Sequence, residues 1–124
     1  MALTRREVIQ LAQALEERSE ALRREVRGDT ARVRAESPAR LAGEAPDRAD
    51  LAFAEAAGEA NRAELARDLT ELGELDEARL RLAQGTYGRC VACGGDVGFE
   101  RLRARPGAAR CLACQRRLEA SHST

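Results

Sequence analysis

The sequence has no lysine and no tryptophan, a single histidine, and three aromatic residues in 124, namely Phe53, Tyr87 and Phe99. Alanine supplies 25 of the apolar residues, so the chain lacks the large side chains needed for an ordinary globular core. No apolar run approaches the roughly 20 residues of a membrane span, which excludes a transmembrane helix, and no targeting segment is evident, so a cytoplasmic location is expected. His122 is the only histidine and stands near the last residue, which fits a tail position better than a metal ligand or a catalytic base. All 21 basic residues are arginine and are balanced by 21 acidic ones. A net charge of zero argues against bulk binding to polyanions.

What the sequence does have is four cysteines in two Cys-x-x-Cys pairs, Cys90/Cys93 and Cys111/Cys114, separated by seventeen residues. Each pair lets two thiolates converge on one ion, and a spacer of roughly 15–20 residues folds back between them, the pattern of a tetrahedral zinc site. Gly94 and Gly95 can supply the backbone freedom that a metal knuckle needs. The run Gln115-Arg116-Arg117-Leu118-Glu119-Ala120 consists mostly of good helix formers, so the second knuckle is expected to open a short C-terminal helix. Two disulfides in a secreted protein are the competing reading, and the absence of a signal sequence speaks against them. Four sulfurs close the coordination shell, so one structural zinc per chain is expected, with no catalytic residue around it and no enzymatic activity.

The remainder reads as long helix, being about one-third charged and rich in Ala, Glu, Leu and Arg. Thr4-Arg5-Arg6-Glu7 forms a capping box, flanked by Leu3 and Val8 at the positions of a hydrophobic staple. From there a helix is predicted to about Glu36. Its seam is Val8, Leu15 and Leu22, interleaved with Ala12, Val26 and Val33 and weakened at Ser19 and Asp29. Ser37-Pro38 stops it. A turn over about 37–47 follows, with Asp47 and Asp50 as N-cap and acidic first turn of a second helix. That helix runs from Arg48 to Gln84 through Leu51, Ala54, Leu65, Leu69, Leu72 and Leu75, and Gly85 ends it. The two arms match in length and fold as an antiparallel coiled-coil hairpin about 50 Å long. Residue numbers summing near 87 pair Leu15 with Leu72, Leu22 with Leu65 and Gly28 with Gly58. The seam is leucine-rich near the cysteines and passes to Phe53 and small alanines toward the turn, so the turn half is the weaker.

The fold class is therefore mainly α, with residues 1–84 as the hairpin and 85–124 as a zinc-finger module. A monomer is expected. The finger's apolar set, Tyr87, Val91, Val97, Phe99, Leu102 and Leu112, is expected to pack under the metal and against Leu3, Leu80 and Leu82. Arg101, Arg103, Arg105, Arg110, Arg116 and Arg117 surround it. Acidic residues, among them Asp47, Asp50, Glu55 and Glu59, gather near the other end.

Tyr87-Gly88-Arg89-Cys90-Val91-Ala92-Cys93-Gly94, then Arg101-Leu102-x-Ala104-Arg105-Pro106, then Cys111-x-x-Cys114 together resemble the DksA/TraR-type C4 zinc-finger proteins. The resemblance implies a non-enzymatic transcription regulator that binds bacterial RNA polymerase and inserts its coiled-coil tip into the secondary channel. The family's tip motif, Asp-x-x-Asp-x-Ala, corresponds here to Glu44, Asp47 and Ala49, with glutamate in place of the first aspartate. Members can respond to guanosine tetraphosphate through basic residues, and the matching positions Arg67 and Arg105 keep that character. Glu74 and Gln115 replace lysines of the longer members, and an acidic group beside a tetraphosphate opposes its binding.

Two other classes stay open on the residues alone. One is a nucleic-acid-binding zinc ribbon using the finger arginines. The other is a thiol-based redox or zinc sensor, in which neighbouring arginines lower the thiolate pKa values.

Overall fold

The computed structural model describes residues 2–35 and 47–122. They form four helices, α1 (Arg5–Ala35), α2 (Arg48–Gln84), α3 (Phe99–Ala104) and α4 (Leu112–His122). Among the described residues the only β pairing is an isolated antiparallel bridge between Arg89 and Asp96. The mainly α class read from the sequence holds. Of the expected turn, all but Asp47 lies outside the described residues.

Local chemistry sets the helix ends. The Thr4 hydroxyl accepts from the Glu7 N–H at 3.1 Å and the Glu7 carboxylate accepts from the Thr4 N–H at 2.9 Å, a complete capping box. Asp47 does the same for α2, its carboxylate accepting from the Asp50 N–H at 2.8 Å while Asp50 reaches back to the Asp47 N–H at 3.4 Å. At the other end of α2, Gly85 sits at φ 76°. Its N–H donates to the Leu82 carbonyl and that of Thr86 to the Arg81 carbonyl, the paired bonds of a Schellman stop, which a left-handed glycine permits.

The chain divides into two compact units that share the long helices. In the first, Met1–Glu20 with Glu71–Thr124, α1 and α2 bury Leu11, Leu15, Leu75 and Ala78, each 1% exposed or less. Arg18 grips Glu71 through two hydrogen bonds of 2.7 and 2.8 Å. That guanidinium holds the Glu71 carboxyl below the usual carboxylate range, and Arg79 pairs with Glu16 across the same interface. In the second unit, Ala21–Thr70, the buried seam is Leu22, Ala54 and Gly58 together with two carboxyl groups, Asp29 and Asp68. Alanine and glycine bury far less apolar surface than leucine, as expected for this half.

The pairing register differs from the expected one. Arg18 with Glu71 and Glu16 with Arg79 give sums of 89 and 95, and Asp29 with Asp68 gives 97, against the predicted 87. Gly28 accordingly shares a groove with Glu64 and Asp68, not with Gly58. Between Gly58 and Leu75 the buried position of α2 is Asp68, and the neighbouring Leu69 is 49% exposed. Phe53, expected on the seam, is 77% exposed. On α1, Leu11 is buried where Ala12 was expected, because Leu11 also serves the core of the finger.

Ser19 is fully buried and its hydroxyl has no hydrogen-bond partner among the described residues. A buried, unsatisfied polar group costs roughly 1–3 kcal/mol. Ser19→Ala is therefore expected to stabilise the protein by about 1 kcal/mol in urea unfolding, and a measurable loss of stability would show that the hydroxyl has a partner.

Candidate metal centre

The finger begins with a left turn that only glycine tolerates here. Gly88 stands at φ 93°, and a Cβ on it would come within 2.7 Å of Leu3 Cδ1. This close approach lets Leu3 cover the finger from the N-terminal side. The chain then forms the first knuckle, in which the Cys90 N–H donates to the Gly95 carbonyl at 2.7 Å and the Gly94 N–H to the Cys90 carbonyl at 2.9 Å. Gly94 takes φ 76°, and the Gly95 N–H points at Cys93 Sγ from 3.4 Å, where it would stabilise a thiolate. The second knuckle opens α4 as expected, the Gln115 N–H donating to the Cys111 carbonyl at 2.9 Å. Val91 N–H donates to the Ala109 carbonyl at 2.9 Å and joins the two knuckles.

This arrangement brings Cys90, Cys93, Cys111 and Cys114 together, with all four Sγ atoms within 4.8 Å of one another. All four cysteines are free thiols, and Cys93 and Cys111 stand 4.0 Å apart, about twice a disulfide length. Four sulfurs at about 2.3 Å from a tetrahedral zinc lie roughly 3.8 Å from each other. The donor set therefore fits one structural zinc and leaves no open coordination position.

The thiols respond to crowding in opposite directions. Burial by itself raises the Cys90 thiol, but hydrogen bonding from the backbone at Cys111, Cys93 and Ala92 outweighs it and holds the group near about 6. Cys114 is pushed up to about 12 by its hydrogen bonding to Cys111, by burial, and by the other thiols. Cys90 is thus drawn toward the thiolate and Cys114 toward the thiol, as expected where sulfurs crowd together in a buried site. A divalent ion offsets the repulsion among thiolates and draws off the remaining protons.

The finger's core consists of Leu11, Cys90, Val97, Leu102, Ala108 and Cys114, with Leu3, Tyr87, Phe99 and Cys111 packed against it. Tyr87 is half-buried and its hydroxyl donates to the Pro106 carbonyl at 2.8 Å. Burial pushes that phenol up to about 12. Three expected core members lie outside: Val91, Leu112 and Leu80 are 54%, 48% and 61% exposed. The first two each follow the leading cysteine of a knuckle, where the turn carries the side chain away from the metal. Leu11 takes the place expected of Leu80 and Leu82.

The finger arginines are largely engaged. Arg101 Nε donates to the Arg110 carbonyl at 2.9 Å, Arg105 lies 3.5 Å from Glu74, and Arg117 approaches Cys114 Sγ at 3.5 Å. Arg103 and Glu100 form a loose pair at 4.0 Å. Arg67 pairs with Glu64 at 2.5 Å within the second unit, so each of the two candidate alarmone contacts already has a carboxylate, and they belong to different units. Asp47 and Ala49 are exposed at the start of α2. Glu44 lies outside the described residues. His122 is exposed at the last position of α4.

A mainly helical chain with a closed four-cysteine centre at its C-terminal end defines a small class of zinc-finger proteins. Residues 85–120 match the sequence model of the prokaryotic dksA/traR C4-type zinc finger. The chain is also similar to the solved structure of transcription factor DksA2 from Pseudomonas aeruginosa, with a TM-score of 0.73 and 28% identity over 97% of this chain and 88% of that one. No curated protein matches it. The chain thus carries a C4 zinc finger of the DksA/TraR type, as its cysteine motifs indicated. No helix among the described residues is long and apolar enough to cross a membrane.

One zinc per chain is expected in elemental analysis of protein purified without added metal. A strong chelator should remove it and collapse the finger while most helical circular dichroism remains, because α1 and α2 run to 31 and 37 residues. Cys111→Ser should reproduce that result without chelator. Absence of metal, or a Cys90–Cys93 disulfide in reducing buffer, would overturn the assignment.

Proposed function

We propose that the protein is a non-enzymatic transcription regulator that acts by binding bacterial RNA polymerase and presenting the start of α2 to the enzyme's secondary channel. The observation that carries this reading is the similarity to transcription factor DksA2 along 97% of the chain, which takes in both long helices as well as the finger. In this reading the hairpin of residues 1–84 is the acting arm and the module of residues 85–124 is its base, held by zinc at Cys90, Cys93, Cys111 and Cys114. Asp47 is the principal acting residue, with Glu44 and Ala49 beside it, and the protein works as a cytoplasmic monomer.

Asp47 combines exposure with a fixed orientation. Its carboxylate is tied to the Asp50 amide and so is held at the first turn of α2 instead of sweeping through many rotamers. A carboxylate presented in this way can meet basic side chains or act by its charge near a catalytic magnesium ion. Direct nucleic-acid binding by the finger has less support, since Arg101, Arg105 and Arg117 are already occupied within the protein. Guanosine tetraphosphate is not part of the proposal, because Glu74 and Glu64 engage the two arginines that would receive it.

Asp47→Asn separates capping from charge, since asparagine is as good an N-cap. The variant is expected to stay within about 0.5 kcal/mol of the parent in stability and to co-purify with bacterial RNA polymerase. It should lose most of the parent's effect on initiation in a purified transcription assay. Full retention of that effect would return Asp47 to the role of helix cap. Failure of the parent itself to bind polymerase would remove the reading altogether.

A further inference from the structure

Asp29 of α1 and Asp68 of α2 line one groove of the second unit and are 3% and 7% exposed. Both occupy seam positions that an apolar side chain would ordinarily fill. One oxygen of Asp29 is held by Arg32, but the other, Oδ2, is buried without a hydrogen-bond partner among the described residues. Two ionised carboxylates cannot hydrogen-bond to each other, because neither has a donor. The group placed to satisfy Asp29 is the carboxyl of Asp68, once it carries a proton.

We propose that Asp29 and Asp68 share one proton across the seam of the second unit, so that mild acid tightens this part of the helix pair and neutral pH loosens it. Of the charged groups facing the pair, the carboxylates favour keeping the proton and the arginines oppose it. From α1, Glu25, Arg24 and Arg32 line the same groove, and from α2 Glu64 does. Arg32 is committed to Asp29 and Glu64 is engaged by Arg67. Hydrogen bonding to Asp29, then burial, then the charges of Asp29, Glu64 and Glu25 raise the Asp68 carboxyl from 3.8 to about 6. The groove beside the pair, with Gly28 in its wall, gives solvent access for proton exchange.

The direction of the effect follows from linkage. Between 3.8 and about 6 the folded unit binds the proton and the opened chain does not, so stability falls as pH rises through that window and the full penalty is present above it. The same seam holds Ala54 and Gly58, which contribute little burial, so loss of one hydrogen bond and gain of one repulsion weigh heavily here. Asp47 belongs to this unit, which makes the setting of its helix sensitive to the same proton.

Hydrogen exchange on the zinc-loaded full chain tests the proposal at pH 5 and pH 7, corrected for intrinsic rates. Amides of residues 21–35 and 47–70 should lose about tenfold in protection between these two values. Asp68→Asn, whose amide can donate to Asp29 at any pH, should keep the acid level of protection at both. An equal pH dependence in parent and variant would overturn the proposal. Should the variant fold poorly, carboxyl-carbon NMR titration of the parent decides independently. A midpoint for Asp68 near 6 supports the shared proton, and one in the ordinary range around 4 rejects it.

Discussion

Convergence of four sulfurs on one centre is the constraint on which the finger depends. Between Gly85 and the end of α4, the described residues that are buried and apolar amount to Cys90, Val97, Leu102, Pro106, Ala108 and Cys114, with Gly107 beside them, and the two cysteines are themselves ligands. A module with so small an apolar interior lacks the burial to fix its own turns, whereas a structural zinc brings roughly 10–16 kcal/mol of binding energy in small fingers. With the sulfurs fixed, the rest of the local structure has something to lean on. Leu3 closes over Gly88, Leu11 enters the finger core, and Tyr87 ties to the Pro106 carbonyl. Gly107 then packs so close to α2 that a Cβ on it would stand 3.3 Å from the backbone of Glu74 and from the Leu75 nitrogen. The first unit is thus both the metal module and the clamp on the converging ends of α1 and α2.

The sequence made the ends of elements legible because each end is local chemistry. Thr4 with Glu7, Asp47 with Asp50, and Gly85 each need only the residues within one turn, and all three perform as read. The two Cys-x-x-Cys pairs were legible for the same reason, since a knuckle is a four-residue turn whose sulfurs must converge. Register was not local. In α2 the apolar series contains both a leucine at position 69 and a strict heptad ladder, Leu51, Gly58, Leu65 and Leu72 interleaved with Ala54, Asn61, Asp68, Leu75 and Leu82. The ladder was the better guide, but following it meant accepting a buried aspartate and passing over a leucine. Alanine and glycine at so many seam positions left little side-chain volume to favour one pairing over another.

The finger's apolar set shows the same limit at smaller scale. Val91 and Leu112 follow the leading cysteines, and composition alone placed them inside. Ligand geometry turns each sulfur inward and so turns the next side chain outward, a consequence of the metal that hydropathy does not carry. The signal that would have found Leu11 was its spacing, four residues before Leu15 on one helix face. The heptad that begins at Val8 selects Ala12 in its place.

These errors concern different halves of the seam and have different meanings for function. In the first unit, leucines and the Arg18–Glu71 pair give a tightly determined interface, suited to a base that must hold a metal site and anchor two helices. In the second unit the seam is built from small residues and from Asp29 and Asp68, side chains that a sequence selected only for stability would replace with leucine or valine at a gain of roughly 1–4 kcal/mol. In the function proposed above, an arm that adapts to a partner's surface gains from such a seam, because local opening costs less where less is buried. Placing Asp47, a fixed and exposed carboxylate, at the head of the weaker unit then makes physical sense: the cap keeps its own helix turn ordered through the Asp50 amide, while the seam behind it is free to respond.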